Sequence, residues 1–295
     1  MKLHIPHITV ISVLLMLSAC ETESSPKGVN PSEMKVFAKY KGHTWNEGMQ
    51  ISIFDGLLSN LKFSAAESSE HAEFISESKI DEMAEDLYAL YPFDADAIRT
   101  ESGIELSIPD IQVPSANGMD ESASKAIAYE DDFADSITLD FHDVCSYFKF
   151  SVNDDDKIVK VQIEGGKNEF LAGTAVVSCS GSEPVITVVD GTECITMGSS
   201  SPMDGEYVIS VLPAVLQDGL TVTLIAEDES IIKKTIIAKD ADGLVSALVF
   251  VRGRVNRTPI SFDNVFAPVI EVPVTCWING NTDRYNFNEI SDLWK

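Results

Sequence analysis

Five histidines are the natural place to look for acid–base chemistry, and two of them, His4 and His7, fall in an apolar N-terminal segment. His43 sits in a Lys-Gly-His-Thr turn, His71 in a polar stretch and His142 in an alternating, strand-like run. A Ser-His-Asp triad needs its serine on a strained turn, and no Gly-x-Ser-x-Gly elbow supplies one. Ser178, Ser180 and the Ser199-Ser200-Ser201 run read as hairpin turns and a loop. Asp154-Asp155-Asp156, between two apolar runs, reads as a solvated hairpin turn. It lacks the Asp-x-Asp-x-Asp-Gly spacing and distant glutamate of a calcium loop. Glycosidase-type carboxylate pairs are defined by distance in space, which a chain with 47 acids cannot reveal by spacing. No phosphate loop or dinucleotide fingerprint occurs. The reading is non-enzymatic, with no catalytic residue, metal or cofactor.

Cysteine chemistry is more informative. Cys145, Cys179, Cys194 and Cys276 are widely spaced with no CxxC pair, which argues against zinc. In an oxidising compartment they could pair, Cys179 with Cys194 across a hairpin being the favoured bridge; free thiols buried in a β core are the equal alternative. The fifth, Cys20, ends the run ISVLLMLSAC. Lys2, a short apolar core and small residues before the cysteine have the layout of an export signal. Leu17-Ser18-Ala19-Cys20 resembles the bacterial lipobox, in which the cysteine is acylated, with palmitate among its chains, and becomes the new N-terminus. The run is shorter than the roughly 20 residues that span a bilayer. A buried N-terminal strand is the alternative, and it leaves the small-small-Cys ending unexplained. The expectation is a signal peptide over 1–19, lipidation at Cys20, and an outer-membrane, lipid-anchored, surface location.

Removing residues 1–19 takes away Lys2 and no acid, so the 21 basic residues become 20 against 47 acids, a net charge of −27. Such a surface repels nucleic acid and anionic lipid, so anchoring must come from acyl chains.

The elements that would position any site are short and β-like. Glu21 to Pro31 is rich in Ser, Glu, Pro and Gly and reads as a tether over 20–31. From Met34 onward the period is two. Ile51–Phe54, Ile104–Ile108, Ile137–Phe141, Tyr147–Val152, Ile158–Ile163, Val185–Val189, Tyr207–Leu212, Leu220–Ala226, Ile231–Ala238 and Ile270–Ile278 all read as strands. Strands at this spacing, separated by Gly, Asp, Asn and Ser turns, predict an all-β sandwich or barrel. The main helical candidate is Glu77–Leu87, with Ile80, Met83, Ala84 and Leu87 on one face; a polar loop before a strand is the alternative. The acidic stretch Glu130–Asp135 divides the chain into domains at 32–135 and 136–295.

Several segments together resemble the fimbrillin family of type V pilus subunits. They are Trp45-Asn46-Glu47-Gly48 leading into Gln50–Phe54, Leu87-Tyr88-Ala89-Leu90-Tyr91-Pro92-Phe93, and Ile108-Pro109-Asp110-Ile111-Gln112. Leu139-Asp140-Phe141-His142 with Tyr147-Phe148-Lys149-Phe150 is similar to the strand that opens the family's second half. Phe170-Leu171-Ala172-Gly173 and Gly205–Pro213 complete the set in family order; the match weakens after Val255, and nothing from the family is placed on Phe262 to Lys295. The resemblance implies two tandem transthyretin-like β-sandwich domains and a structural role in pilus assembly and cell adhesion. Its partners would be other pilus subunits, in a homo- or heteropolymer, and host or bacterial surface ligands. In that family a protease trims many subunits after a basic residue, and a strand from the next subunit fills the vacated groove. The first arginine here is Arg99, far from the mature N-terminus. Lys27, Lys35, Lys39 and Lys41 are the only early basic sites, which points toward an untrimmed anchor or accessory subunit, with a lone adhesin as the other reading.

In the tail, Ile270, Val272, Val274, Cys276 and Ile278 form one apolar row, with Pro273 on the other. Proline cannot donate a ladder bond, which suits an edge strand or one supplied to a partner. The last strand of the second sandwich is the plainer reading. A competing function is a glycan-binding outer-membrane lipoprotein of a carbohydrate uptake system, with Trp45, Trp277 or Trp294 stacking on sugars.

Overall fold

Alternation of apolar and polar residues produces 23 strands among the described residues of this computed structural model, and no α-helix. Those residues are 34–56, 59–76, 86–131, 136–153, 156–179, 183–239, 243–259 and 270–273. The first eight strands are β1 (Lys35–Tyr40), β2 (Gln50–Phe54), β3 (Leu61–Ala65), β4 (His71–Ile75), β5 (Leu87–Tyr91), β6 (Ile98–Thr100), β7 (Gly103–Ile108) and β8 (Ile111–Gln112). Next come β9 (Ala126–Glu130), β10 (Ser136–Asp143), β11 (Ser146–Val152), β12 (Ile158–Glu164), β13 (Ala172–Cys179), β14 (Pro184–Thr192), β15 (Cys194–Gly198) and β16 (Gly205–Val211). The last are β17 (Ala214–Leu216), β18 (Leu220–Ala226), β19 (Ile231–Lys239), β20 (Val245–Ser246), β21 (Leu248–Phe250), β22 (Val255–Pro259) and β23 (Ile270–Pro273).

Seven strands close a barrel in the order β1-β10-β9-β5-β2-β3-β4, with β4 returning to β1. β1 runs parallel to β10, from Lys35↔Ser136 to Tyr40↔Phe141, and antiparallel to β4. Trp45, Ile51, Ile53, Phe74, Leu139 and Phe141 fill the interior. The wall made by β2, β5 and β9 is buried on both faces. In β5, Leu87 and Ala89 face the barrel core, whereas Tyr88 and Leu90 join a second and larger core.

Three further sheets surround that second core: β14-β13-β7-β6, β16-β11-β22, and β20-β19-β18-β12-β15-β8 with β23 on β19. β17 and β21 form a separate pair. Phe148 and Phe150 of β11 meet Ile163 of β12, Val177 of β13, Ile209 of β16 and Leu224 of β18 in one apolar cluster. The all-β, sheet-on-sheet fold class matches the expectation.

Sheet membership does not follow the acidic stretch at 130–135. β10, which comes after it, belongs to the barrel, while β7 and β8, which come before it, pair with β13 and β15. The parallel β1–β10 ladder explains part of this, because parallel strands cannot be joined by a hairpin and the chain must travel and return.

Two local expectations change, and a third lies almost wholly outside the described residues. β11 and β12 lie in different sheets, so the segment around Asp156 is a crossover and not a hairpin turn; Asp154 and Asp155 lie outside the described residues. The helix expected over Glu77–Leu87 also falls outside them apart from its end, where Leu87 opens β5. Cys179 and Cys194 do not bridge: Cys145, Cys179 and Cys194 are free. Cys179 pairs with Pro184 at one end of the β13–β14 ladder, and Cys194 follows Thr192, which pairs with Ala172 at the other end. Seven residues of strand at about 3.3 Å each separate the two ends. A disulfide needs its Cα atoms within about 7 Å.

Candidate functional site

Two features could carry function: the free sheet edges, and a groove where the barrel meets the second core. A closed barrel has no edge, so its backbone groups are satisfied as long as β1 stays in place between β4 and β10. β1 contributes only two buried apolar side chains, Val36 and Ala38. Its lysines reach outward, Lys35 to Glu73 at 3.3 Å and Lys39 to Asp140 at 3.0 Å. Exposed pairs of this kind contribute at most about 1 kcal/mol. The ladder to two neighbours is therefore what holds β1.

Among the other sheets, β14 presents the longest unpaired edge among the described strands. From Pro184 to Val189 it carries no charge, and Val185 and Val189 are 55% and 61% exposed. At the opposite sheet, β23 lies along β19, with Ile270 at Ile236 and Val272 at Ala238. Ile236 also pairs with Leu220, so β18 and β23 flank β19 on opposite sides. Among the described residues β23 is thus an edge strand, with Pro273 at its end. Val274, Cys276 and Ile278 lie outside the described residues, as does Cys20.

The groove encloses about 580 Å³ and takes its walls from the 40–49 turn, Tyr91, the loop at 117–124, and the ends of β10 and β11. Tyr40 and Tyr147 both donate to Asp143 Oδ1, at 2.5 and 2.8 Å, and the Ser124 hydroxyl lies 3.0 Å from the Tyr147 phenol. Burial, reinforced by the neighbouring acidic groups, pushes both phenols well above their ordinary range. They are fixed donors and carry no titrating chemistry near neutrality. Beside them, His43 packs on Tyr40, Tyr91 and Trp45, with ring centroids 5.4, 5.4 and 4.8 Å away. Burial lowers its pKa, partly offset by Glu121. On the other side, Arg252 donates to the Asp143 main-chain oxygen and pairs with Glu183.

Other residues that the sequence brought forward are scattered. Trp45 is wholly buried in the barrel, which removes it as a platform for sugars; Trp277 and Trp294 lie outside the described residues. His71 stacks on Phe37 at the surface, and His142 pairs with Ile127 in the β9–β10 ladder. Cys145 is fully buried, its thiol pushed up to about 12 by burial. Among the described residues no cluster of three or more His, Cys, Asp or Glu could hold a metal ion, and no helix is long and apolar enough to cross a membrane.

Sequence reasoning missed Tyr40, Asp143 and Tyr147, because strand-end residues 103 positions apart leave no spacing signal. It also missed Gly118, which the Asn117-Gly118 dipeptide could have marked as a turn. At φ +79°, a Cβ on Gly118 would stand 2.2 Å from the Glu206 carbonyl oxygen. This close approach lets Met119 bridge to Val208 and closes the groove's far wall.

No family model matches the chain, and no curated protein matches it. A candidate cell-adhesion protein of Bacteroides uniformis superposes with a TM-score of 0.52 at 16% identity, over 78% of this chain and 92% of the other. A second, from Bacteroides ovatus, gives 0.51 at 14% identity, over 80% and 93%. The tip fimbrial protein Mfa3 of Porphyromonas gingivalis is more distant, with a TM-score of 0.38 at 6% identity over 77% and 94%. In fold, this chain is similar to candidate cell-adhesion proteins of Bacteroides.

Proposed function

We propose that this chain is a non-enzymatic surface lipoprotein of the fimbrillin kind, acting in adhesion and pilus assembly through its sheet edges and loops. Acyl chains on Cys20 hold it at the outer membrane, and residues 20–31 tether the folded part. The observation that carries the reading is β1. It is the barrel strand at the chain's N-terminal side, bonded on both flanks and buried through only Val36 and Ala38. Vacating it exposes two rows of backbone groups and an apolar slot, which a strand from a neighbouring subunit satisfies together. Such head-to-tail contact builds an open filament. The free edge of β14 offers a second place for strand addition.

Arginine-directed trimming has no target that would release β1, since no arginine precedes Arg99. Arg99 itself is buried, grips Asp86 through both carboxylate oxygens at 3.0 and 2.9 Å, and lies 4.1 Å over the Tyr88 ring. An untrimmed subunit keeps both its anchor and β1, and then joins others through the free β14 edge. Mass spectrometry of the mature N-terminus tests it. An acylated Cys20 on the final protein fits an anchor or lone adhesin, and a terminus beyond Lys27 that also removes β1, past Tyr40, means a trimmed, polymerising subunit. A soluble periplasmic protein, or acylation that survives Cys20→Ala, overturns the reading.

A further inference from the structure

We propose that the groove at the barrel mouth binds a protonated amine or guanidinium carried on an alkyl stem. The inference concerns the chain with β1 in place, since Tyr40 ends that strand, and rests on the groove's balance of donors and acceptors. Its volume, about 580 Å³, is that of a small-ligand pocket. Acceptors dominate the polar part. Glu121 and Asp143 contribute carboxylates; Glu121 Oε1 accepts from the Asn117 amide at 2.9 Å and Asp143 Oδ1 from the two phenols, so one oxygen on each carries none of these bonds. The phenol protons that could have served a ligand's oxygens are already directed at Asp143. His43 Nε2 is buried with no hydrogen-bond partner among the described residues. Held neutral, its ring can offer that nitrogen as an acceptor, and a ligand N–H would satisfy it.

The apolar part fits the rest of such a ligand. Tyr40, His43 and Tyr91 cluster as rings, which attract a cation through their faces. Met49 and Met119 supply adaptable surface for an alkyl stem. Lys41, exposed at the rim, is the one basic side chain in the lining, and the chain's net charge of −26 adds a long-range pull on cations. A neutral sugar fits less well, since its hydroxyls call for donors and acceptors in equal measure.

The test is a titration of the folded protein with Nα-acetyl-lysine methylamide, its norleucine counterpart and cadaverine, followed through the ring resonances of Tyr40, His43 and Tyr91. Saturable shifts with the two amines, absent with norleucine and weakened by salt, are expected. Tighter binding of the blocked lysine points to a partner's side chain as source, and tighter binding of cadaverine to a free amine. Glu121→Gln, an exposed substitution, should weaken binding about two- to fivefold, the range for a solvent-exposed ion pair. Norleucine binding as well as lysine, shifts confined to other residues, or displacement by neutral monosaccharides overturns the proposal.

Discussion

Gln112 and Ser210, 98 positions apart, exchange a matched pair of hydrogen bonds: the Gln112 amide donates to the Ser210 carbonyl at 2.8 Å and accepts from its N–H at 3.0 Å. The side chain imitates a strand. It ties β8, a two-residue strand at the end of its sheet, to β16 in another sheet. Both residues are wholly buried.

Gln112→Ala should therefore be among the costlier single substitutions. It leaves the Ser210 N–H and C=O without partners in the interior, at about 1–3 kcal/mol each. A loss of about 2–6 kcal/mol in urea denaturation is expected, with no change in the denaturant slope. A midpoint within experimental error of the parent would show that the exchange holds nothing together.

Alkaline solution should loosen the junction between barrel and second core. Tyr40 and Tyr147 have pKa values raised above the ordinary 10.0, chiefly by burial, and Tyr129 is pushed up to about 12 for the same leading cause. A raised acid pKa means that the folded chain holds protons the unfolded chain releases. The resulting stabilisation is complete below pH 10 and declines as pH rises past it. Melting temperature followed from pH 8 to 12 should stay level and then fall, with tyrosinate absorbance appearing together with unfolding. Tyr40→Phe removes one donor to Asp143 and should cost about 1–3 kcal/mol at neutral pH.

Trp45 separates packing from hydrogen bonding. It is fully buried and meets Phe74, Tyr91 and Phe141 edge-on at 5.2, 4.9 and 5.5 Å. Its indole N–H has no partner among the described residues. Trp45→Phe should thus lose volume alone and cost less than Trp45→Ala, for which about 3–5 kcal/mol is expected. Equal losses in thermal melts of the two variants would point to a polar role for the indole.

How far the sequence could be read depended on what each strand faces. β10, with burial alternating along Ser136–Phe141, and β12 and β18 were legible because one face meets a core and the other meets less of it. β9, Ala-Ile-Ala-Tyr-Glu, is buried on both faces at its start, so no alternation marks it. β13 opens Ala-Gly-Thr-Ala, small residues that sit in the ladder between β7 and β14 and look like a loop in one dimension. The two-residue β8 is set by Gln112 and not by periodicity. The groove was illegible for a further reason: its walls come from both sides of the acidic stretch, and only the returning β10 brings Asp143 to Tyr40. The cysteines mark the same limit, since a bridge that looked short in sequence spans the full length of a ladder.

The tail offers a decisive experiment on sheet edges. β19 is nine residues long, its Ile231 is 65% exposed, and β23 covers the flank opposite β18 from Ile236 to Lys239. Deleting residues 266–295 uncovers that flank, and unpaired ladder groups on a long strand invite another chain. The truncated protein should self-associate, giving higher species by light scattering and on native gels, and should melt lower than the parent. Adding a peptide of residues 266–280 should reverse both effects, because it restores main-chain bonds in the same register. A truncated protein that stays monomeric with an unchanged melting temperature would mean that β19 tolerates its open edge and that the tail takes no part in subunit contacts.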